Sequence, residues 1–415
     1  MSRTLAGWLE YIERQHPQSI ALGLARAGRV LARMAVRPAC PVITVGGTNG
    51  KGSTCALLET ILRRAGYRTG LYTSPHLVRY AERVRIGGIE ADEAALCAGF
   101  EAVEAARQGE ALTYFEFGTL AALWIFAREK VEALVLEVGL GGRLDAVNLV
   151  DGDCAVLTSV GIDHVEFLGG TREAIGREKA GIFRPGRPAV VADPAPPATV
   201  SETASALGAK LLLLGRDFGY LPQGTQWAYW GPQGRRGGLA WPALRGATQL
   251  RNASAAFTAL DALRDRLPVA MQDLRRGLAE VQLPGRFQVL PGRPQVILDV
   301  AHNVQAAEVL ASNLSDSGYA PETIGVCGML KDKDMAGVLA AVGPRITRWH
   351  LATLPGPRGA SATELRAALE AAGQRAPARE HADVAAALAA AKADAGPDDK
   401  IVVFGSFLTV AAAHG

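Results

Sequence analysis

Two groups of residues in this chain have the types and spacing for phosphoryl chemistry. The first is Gly46-Gly47-Thr48-Asn49-Gly50-Lys51-Gly52-Ser53, which follows a short apolar run at 41–45. Glycines let the chain turn tightly and bring backbone N–H groups toward phosphate oxygens, and a following helix adds its positive end. Lys51 can then reach terminal phosphates, and Ser53 or Thr54 can meet magnesium. The spacing departs from the general phosphate loop, because position 45 is Val and Gly52 separates Lys51 from Ser53. The bland alternative is a tight structural turn. The second group is Glu137 with the peptide Gly139-Leu140-Gly141-Gly142-Arg143-Leu144-Asp145 behind it. A carboxylate at the carboxyl end of a buried strand stands where α/β sheets bind ligands. Burial demands a cationic partner, and a hard cation such as magnesium fits carboxylate oxygen. The alternative partner is Arg143.

Histidine and lysine candidates are less specific. Of seven histidines, His76, His164 and His302 lie in turn-rich peptides, Thr73-Ser74-Pro75-His76, Gly161-Ile162-Asp163-His164 and Asp299-Val300-Ala301-His302-Asn303. His164 and His302 each follow an apolar run and have an acid nearby, yet imidazole is an unusual magnesium ligand. Lys179, within Arg177-Glu178-Lys179-Ala180-Gly181, reads from the residues alone as an ordinary helix lysine.

The elements that must position these groups alternate. Helical spacing covers 5–14, 22–36, 55–65, 91–107 and 117–129, and apolar strand-like runs cover 133–138, 155–160 and 189–192. Such alternation predicts a parallel sheet flanked by helices. Residues 211–248 differ, with recurring Gly, Trp and Pro, and predict a small antiparallel or irregular insert before a helix with Asn252 near its start. Leu283-Pro284-Gly285-Arg286 and Pro291-Gly292-Arg293-Pro294 mark a domain boundary. Beyond it, runs at 296–300, 323–327, 349–352 and 401–404 alternate with Ala-rich helices, which predicts a second, smaller α/β domain. The stretch 383–395 reads as a plain packed helix.

Bulk properties narrow the class. The 415 residues suit two domains. A net charge of +3, from 44 basic and 41 acidic residues without a basic block, gives no electrostatic case for nucleic acid or an anionic membrane. The five cysteines have no metal-ligand spacing and read as free thiols in a reducing compartment. The first residues lack the apolar core of a signal peptide, and no apolar run approaches a membrane span. The expectation is a soluble cytoplasmic protein.

In order along the chain stand Gly47-Thr48-Asn49-Gly50-Lys51-Gly52-Ser53, Tyr72-Thr73-Ser74-Pro75-His76-Leu77, Leu112-Thr113-Tyr114-Phe115-Glu116, Leu136 to Asp145, Arg177 to Phe183, Leu283-Pro284-Gly285-Arg286-Phe287 and Asp299-Val300-Ala301-His302-Asn303. With these, nearly the whole chain resembles the folylpolyglutamate synthase family of the Mur ligase superfamily, in its bacterial bifunctional branch. The resemblance implies an α/β protein with a P-loop, Mur-ligase-like ATPase domain at 1–287, carrying a parallel sheet, the antiparallel insert and pterin-binding segments. A Rossmann-like α/β domain at 288–415 would contribute to glutamate and nucleotide binding, with ATP and magnesium in the cleft between.

Residue by residue, the resemblance implies magnesium ligands at Ser74, Glu137 and His164, and a carbamylated Lys179 that serves a second magnesium. It implies ATP contacts at Thr48, Asn49, Gly50, Lys51, Gly52, Ser53, Asn252, Arg286 and Asp299. It implies pterin contacts at Ala21, Leu22, Gly23 and Leu24, at Thr113, Tyr114, Phe115 and Glu116, and at Leu144, Asp145 and Ala146. His302, with Asp299, would lie near glutamate and the transferring phosphate, and Lys51, Lys179, His302 and Asp299 would carry catalysis. The implied reaction joins L-glutamate to dihydropteroate, or to reduced folates, in a monomeric enzyme. Three positions depart from the family: Val304-Gln305 stands for Pro-His, Ala21 for an acid, and Gln249-Leu250-Arg251-Asn252 is a loose form of its segment. A peptidoglycan Mur ligase would carry a further domain before the loop, where this sequence has only 45 residues, and no Asn-Lys-x-Asp signature supports a GTPase. A non-catalytic nucleotide sensor would not need Lys51, Glu137, His164 and Lys179 together.

Overall fold

Strands that are apolar on both faces need helices on both faces, and that requirement organises most of the chain. The computed structural model describes residues 3–18 and 20–414. Met1, Ser2, Ser19 and Gly415 fall outside it. Contacts divide the described residues into two compact units. One runs to Ala243 and takes in Leu250–Val281; the other holds Leu244–Gln249 and the chain from Gln282 onward. A boundary drawn in chain order has no means of expressing the first of these exchanges.

In the first unit the strands are β1 (Val42–Gly46), β2 (Thr69–Tyr72), β3 (Val84–Ile86), β4 (Ile89–Glu90), β5 (Ala133–Glu137), β6 (Cys154–Leu157), β7 (Pro188–Val191) and β8 (Lys210–Leu213). They form one sheet in the order β4-β3-β2-β5-β1-β6-β7-β8. From β2 to β8 all neighbours are parallel, and β3 and β4 close one edge antiparallel. The central strands β1, β5 and β6 are buried along their whole length, as their unbroken apolar runs require. A core of side chains from helices Leu5–Glu13, Glu93–Arg107 and Tyr114–Arg128, among them Trp8, Phe100 and Phe117, packs on this sheet.

Several elements begin or end away from where periodicity puts them. The helix after the loop starts at Lys51 and runs to Arg64, because Gly50, at φ 90°, sets its N-terminus. Helix Tyr114–Arg128 starts before 117: Thr113 caps it by accepting from the Glu116 N–H at 3.2 Å. The spacing at 22–36 overshoots, since the helix is Ala25–Met34 and 22–24 lead into it. β6 stops at Leu157 instead of 160, because Thr158 and Ser159 turn toward the glycine loop.

The segment 211–248 ends β8 and then forms a three-stranded antiparallel sheet of β9 (Gly219–Gln223), β10 (Gln226–Gly231) and β11 (Gly234–Ala240). Tyr229 of β10 lies edge-on to Phe257, 5.4 Å between centroids, on helix Thr248–Ala262.

The second unit has β12 (Gln288–Leu290), β13 (Gln295–Leu298), β14 (Thr323–Cys327), β15 (Arg348–Ala352), β16 (Ala378–His381) and β17 (Lys400–Phe404), ordered β12-β13-β17-β14-β15-β16. All pairs are parallel except β12 with β13. The stretch 383–395 is the packed helix Val384–Asp394, with Val384, Ala387 and Ala391 buried.

Helix Met271–Glu280 presses Gly277 against the helix that begins with Lys51. A Cβ at Gly277 would lie 2.3 Å from Ile61 Cγ1 and 3.0 Å from Ile61 Cα. Gly277→Val therefore overpacks this contact and should cost about 1–3 kcal/mol. A lower urea midpoint at unchanged slope is expected; an unchanged midpoint would refute the close packing.

Candidate active site

The register of the parallel strands assembles the first unit's candidates. Val45 pairs with Glu137, and Gly46 with Leu157. The segments that leave β2, β5, β1 and β6 therefore emerge side by side at the carboxyl edge of the sheet, where such folds bind ligands. They carry Ser74, Glu137, the 46–53 loop and His164 in turn.

The loop is fixed by the turn after β6. The Thr48 N–H donates to Ser159 O at 2.9 Å, and the Asn49 N–H to Ser159 Oγ at 2.9 Å. Thr158 Oγ1 donates to Asn49 O at 2.7 Å, and the Gly161 N–H to Thr48 Oγ1 at 2.9 Å. Gly47 has φ 145°, and a Cβ there would stand 1.9 Å from Thr158 Oγ1. At Gly50 a Cβ would stand 2.7 Å from Asn252 Oδ1, so the expected nucleotide contact Asn252 borders the loop. Lys51 Nζ folds back onto Gly47 O and Thr48 O, at 3.1 and 3.2 Å. Ser53 and Thr54 are buried, and Thr54 Oγ1 has no hydrogen-bond partner in the protein. The first turn of this helix leaves N–H groups without intrahelical acceptors, a ready anion site.

Glu137 is buried and accepts from the Ser74 N–H at 3.3 Å. Arg143, the alternative partner for Glu137, bonds Glu178 at 2.8 Å. The Gly141-Gly142 turn instead lies against the helix end that carries Lys179, since a Cβ at Gly142 would stand 2.8 Å from Lys179 O. Lys179, an ordinary helix lysine by the residues alone, is buried. It is 5% exposed, and burial, reinforced by Lys51, brings its ammonium down to about 7, against the pull of Asp163 and Asp145. His164 adopts φ 53°, with its N–H on Asp163 Oδ1 at 2.9 Å. Among the described residues no three His, Cys, Asp or Glu side chains are grouped to hold a metal. The expected set has only Glu137 and His164 of those types and so depends on Ser74 and a modified Lys179. His76 has a structural partner, accepting at Nδ1 from Arg83 Nε at 2.8 Å.

The three segments expected at the pterin come together in this unit. The Gly23 N–H donates to Leu144 O at 3.2 Å. Arg26 donates to both Glu116 and Ala21 O. The Phe115 ring lies over Gly139, where a Cβ would be 2.6 Å from it, and 5.9 Å from the Tyr72 ring. Tyr114 sits under Arg83, whose guanidinium is 5.4 Å from the ring centroid. Asp145 is buried and caps Ala146–Leu149, accepting from Leu140 and Val147 N–H groups at 2.8 and 2.9 Å. Burial raises its carboxyl to about 7, opposed by those donors and by Lys51.

The second unit has its own cluster. β13 ends at Leu298 because Asp299 turns to accept from the Phe287 and Ala301 N–H groups at 2.9 and 2.8 Å. Burial raises this carboxyl, while Arg286 pulls it down. His302 Nδ1 lies 2.8 Å from Val300 O, a contact that orients the ring. Arg286 lies 5.2 Å from the centroid of Phe407, and the His302 ring 6.1 Å from it. Asn303 caps helix Val304–Asp316, so that helix starts without the family's proline. Thr158, Ser159, Arg26 and Phe407 were not singled out from the sequence. A polar Thr-Ser pair closing an apolar run was the one available signal; Arg26 and Phe407 gave none.

The chain matches the Mur ligase middle domain over residues 45–260 and the Mur ligase glutamate ligase domain over 285–407. It is 47% identical to the dihydrofolate synthase/folylpolyglutamate synthase of Escherichia coli (strain K12), covering 98% of this chain and 94% of that one. The structure of E. coli FolC in complex with DHPP and ADP superposes with a TM-score of 0.95 at 46% identity, covering 100% of this chain and 97% of that chain. A bifunctional folylpolyglutamate synthase/dihydrofolate synthase with Mn, AMPPNP and L-glutamate bound gives a TM-score of 0.92 at 44% identity, over 99% and 97%. With these matches spanning both units, the chain belongs to the dihydrofolate synthase/folylpolyglutamate synthase family of Mur ligases.

Proposed function

We propose that this chain is an ADP-forming carboxylate–amine ligase that joins L-glutamate to dihydropteroate, giving dihydrofolate, and also extends reduced folates. One observation carries the reading: the glycine loop, Glu137, Ser74 and the β6 turn share one carboxyl edge of the sheet. The complexes of the relatives, with ADP and DHPP and with AMPPNP, Mn and L-glutamate, support the substrates. Five unpaired cysteines and the lack, among the described residues, of a helix long and apolar enough to cross a membrane support a cytoplasmic setting.

A carboxylate does not exchange its oxygen for an amine, because oxide is a poor leaving group. In the proposed reaction a substrate carboxylate oxygen attacks the γ-phosphorus of ATP and ADP leaves, giving an acyl phosphate. The glutamate amine then attacks the acyl carbon, losing a proton as the C–N bond forms, and phosphate departs with the C–O bond. We assign Thr48, Asn49, Gly50, Gly52 and Ser53 to the phosphates, Lys51 to the charge on the transferring group, and Asn252, Arg286 and Asp299 to the nucleotide. His302 is assigned to the glutamate side. Residues 21–24, 113–116 and 144–146 are assigned to the pterin.

Ser74, Glu137 and His164 would hold one magnesium ion. The buried Glu137 carboxylate and the partnerless Thr54 hydroxyl fit a cation near the loop. Lys179 would serve a second after its neutral amine adds carbon dioxide, forming an N–C bond and releasing a proton. When bound, the ions offset charge on phosphoryl oxygens.

ATP, magnesium, dihydropteroate and L-glutamate together should yield ADP, phosphate and dihydrofolate. Absence of glutamate-dependent ADP release with both dihydropteroate and tetrahydrofolate would sink the ligase reading. Lys51→Ala should lower turnover by roughly 100-fold or more with unchanged circular dichroism; wild-type turnover would remove the loop lysine from the chemistry.

Carbamylation needs the unprotonated amine, whose fraction falls as pH drops below about 7. Activity and a carbon dioxide-sized mass increment on Lys179 should thus be lost together below that pH. Both should return above it with added bicarbonate. An increment absent at pH 8 would exclude the modified lysine.

A further inference from the structure

Arg26 stands in the first turn of helix Ala25–Met34, where no acidic residue accompanies it. A cation there opposes the helix dipole, so local helix energetics do not explain it. Its contacts reach outward. Nε donates to Glu116 Oε2 at 2.8 Å, and Nη2 donates to the Ala21 carbonyl. The side chain is 22% exposed and that of Glu116 only 4%, so this charge pair is poorly screened by water.

Glu116 Oε2 is saturated. Besides Arg26 it accepts the Thr113 N–H at 2.8 Å and Thr113 Oγ1 at 2.9 Å. Oε1 is buried and has no hydrogen-bond partner in the protein. A buried carboxylate oxygen without a donor is costly, and an N–H donor from a bound ligand would relieve it. The same arginine holds the 21–24 segment at the carbonyl of its first residue, Ala21, while the Gly23 N–H ties that segment to Leu144 O at 3.2 Å. One guanidinium therefore fixes both the path of 21–24 and which oxygen of Glu116 stays available.

We propose that Arg26 is a positioning residue for the pterin-bearing substrate: it bridges the 21–24 segment to the Thr113–Glu116 helix cap and so preorganises the surface that receives the pterin. The proposal rests on the ligase reading above, and it concerns dihydropteroate and folate binding alone. It predicts no part for Arg26 in phosphoryl transfer, because its hydrogen bonds go to Glu116 of the helix cap and to Ala21 of the 21–24 segment. A lysine at 26 can reach one of the two partners but lacks the planar fork that serves both.

The test is steady-state kinetics on the full chain with Arg26→Met and Arg26→Lys, varying dihydropteroate, ATP and L-glutamate in turn, with thermal melting alongside. Arg26→Met should raise KM for dihydropteroate roughly tenfold or more, and KM for tetrahydrofolate in the same sense. kcat and the KM values for ATP and glutamate should stay within about twofold, and Arg26→Lys should fall between. Unchanged KM for dihydropteroate in Arg26→Met overturns the proposal. So does a uniform change in all three KM values with a lowered melting temperature, which marks a purely structural arginine. If Arg26→Met does not fold, Arg26→Lys decides by the same split. Failure of the wild type to release ADP with dihydropteroate and glutamate would instead refute the ligase reading itself.

Discussion

The contact between the glycine loop and the turn after β6 governs the rest of the first unit. Gly47 and Thr158 touch so closely that no side chain fits at 47, the loop's peptide groups are bonded to Thr158 and Ser159, and the Thr48 hydroxyl is bonded to the Gly161 peptide. A phosphate cradle works only if its N–H groups are already oriented, since ordering them on binding would consume affinity. Two parallel strands in fixed register supply that orientation. The same register sets Glu137 opposite Val45, so the carboxylate inherits its place from the sheet and not from a flexible loop.

Glycines elsewhere serve the same end by close approach. At 142 the absence of a side chain lets the peptide after Glu137 lie on the helix end that bears Lys179, and at 139 it admits the Phe115 ring. The Gly-Leu-Gly-Gly run is thus a packing device between the buried Glu137 carboxylate, a buried lysine and an aromatic ring. Burial then tunes the ionisable groups: Lys179 is brought down to about 7, while Asp145 rises to about 7 and is restrained by backbone donors.

The second unit repeats the logic with different residues. Asp299 ends β13 and pins the 285–287 peptide by two backbone N–H groups, which sets Arg286 against Phe407. The family's Pro-His is replaced by Val304-Gln305, and helix Val304–Asp316 still begins there because Asn303 supplies the cap.

The sequence by itself determined the alternation of strands and helices, the two-part α/β organisation, the antiparallel insert and the loop with its lysine. Those follow from local periodicity, turn chemistry and burial, all of which act over a few residues. It misjudged ends: the 155–160 run was too long and the 55–65 helix too short, because both ends are set by the loop-to-turn contact across more than 100 residues of chain, as between Asn49 and Ser159 with a separation of 110. Lys179 read from the residues alone as an ordinary helix lysine, because helix position says nothing of what covers a side chain. Tertiary structure alone set Glu137 beside the Ser74 N–H, paired Arg143 with Glu178, and joined Arg26 to Glu116. Each is a contact between residues distant in the chain, fixed by strand register and packing, which no local pattern encodes.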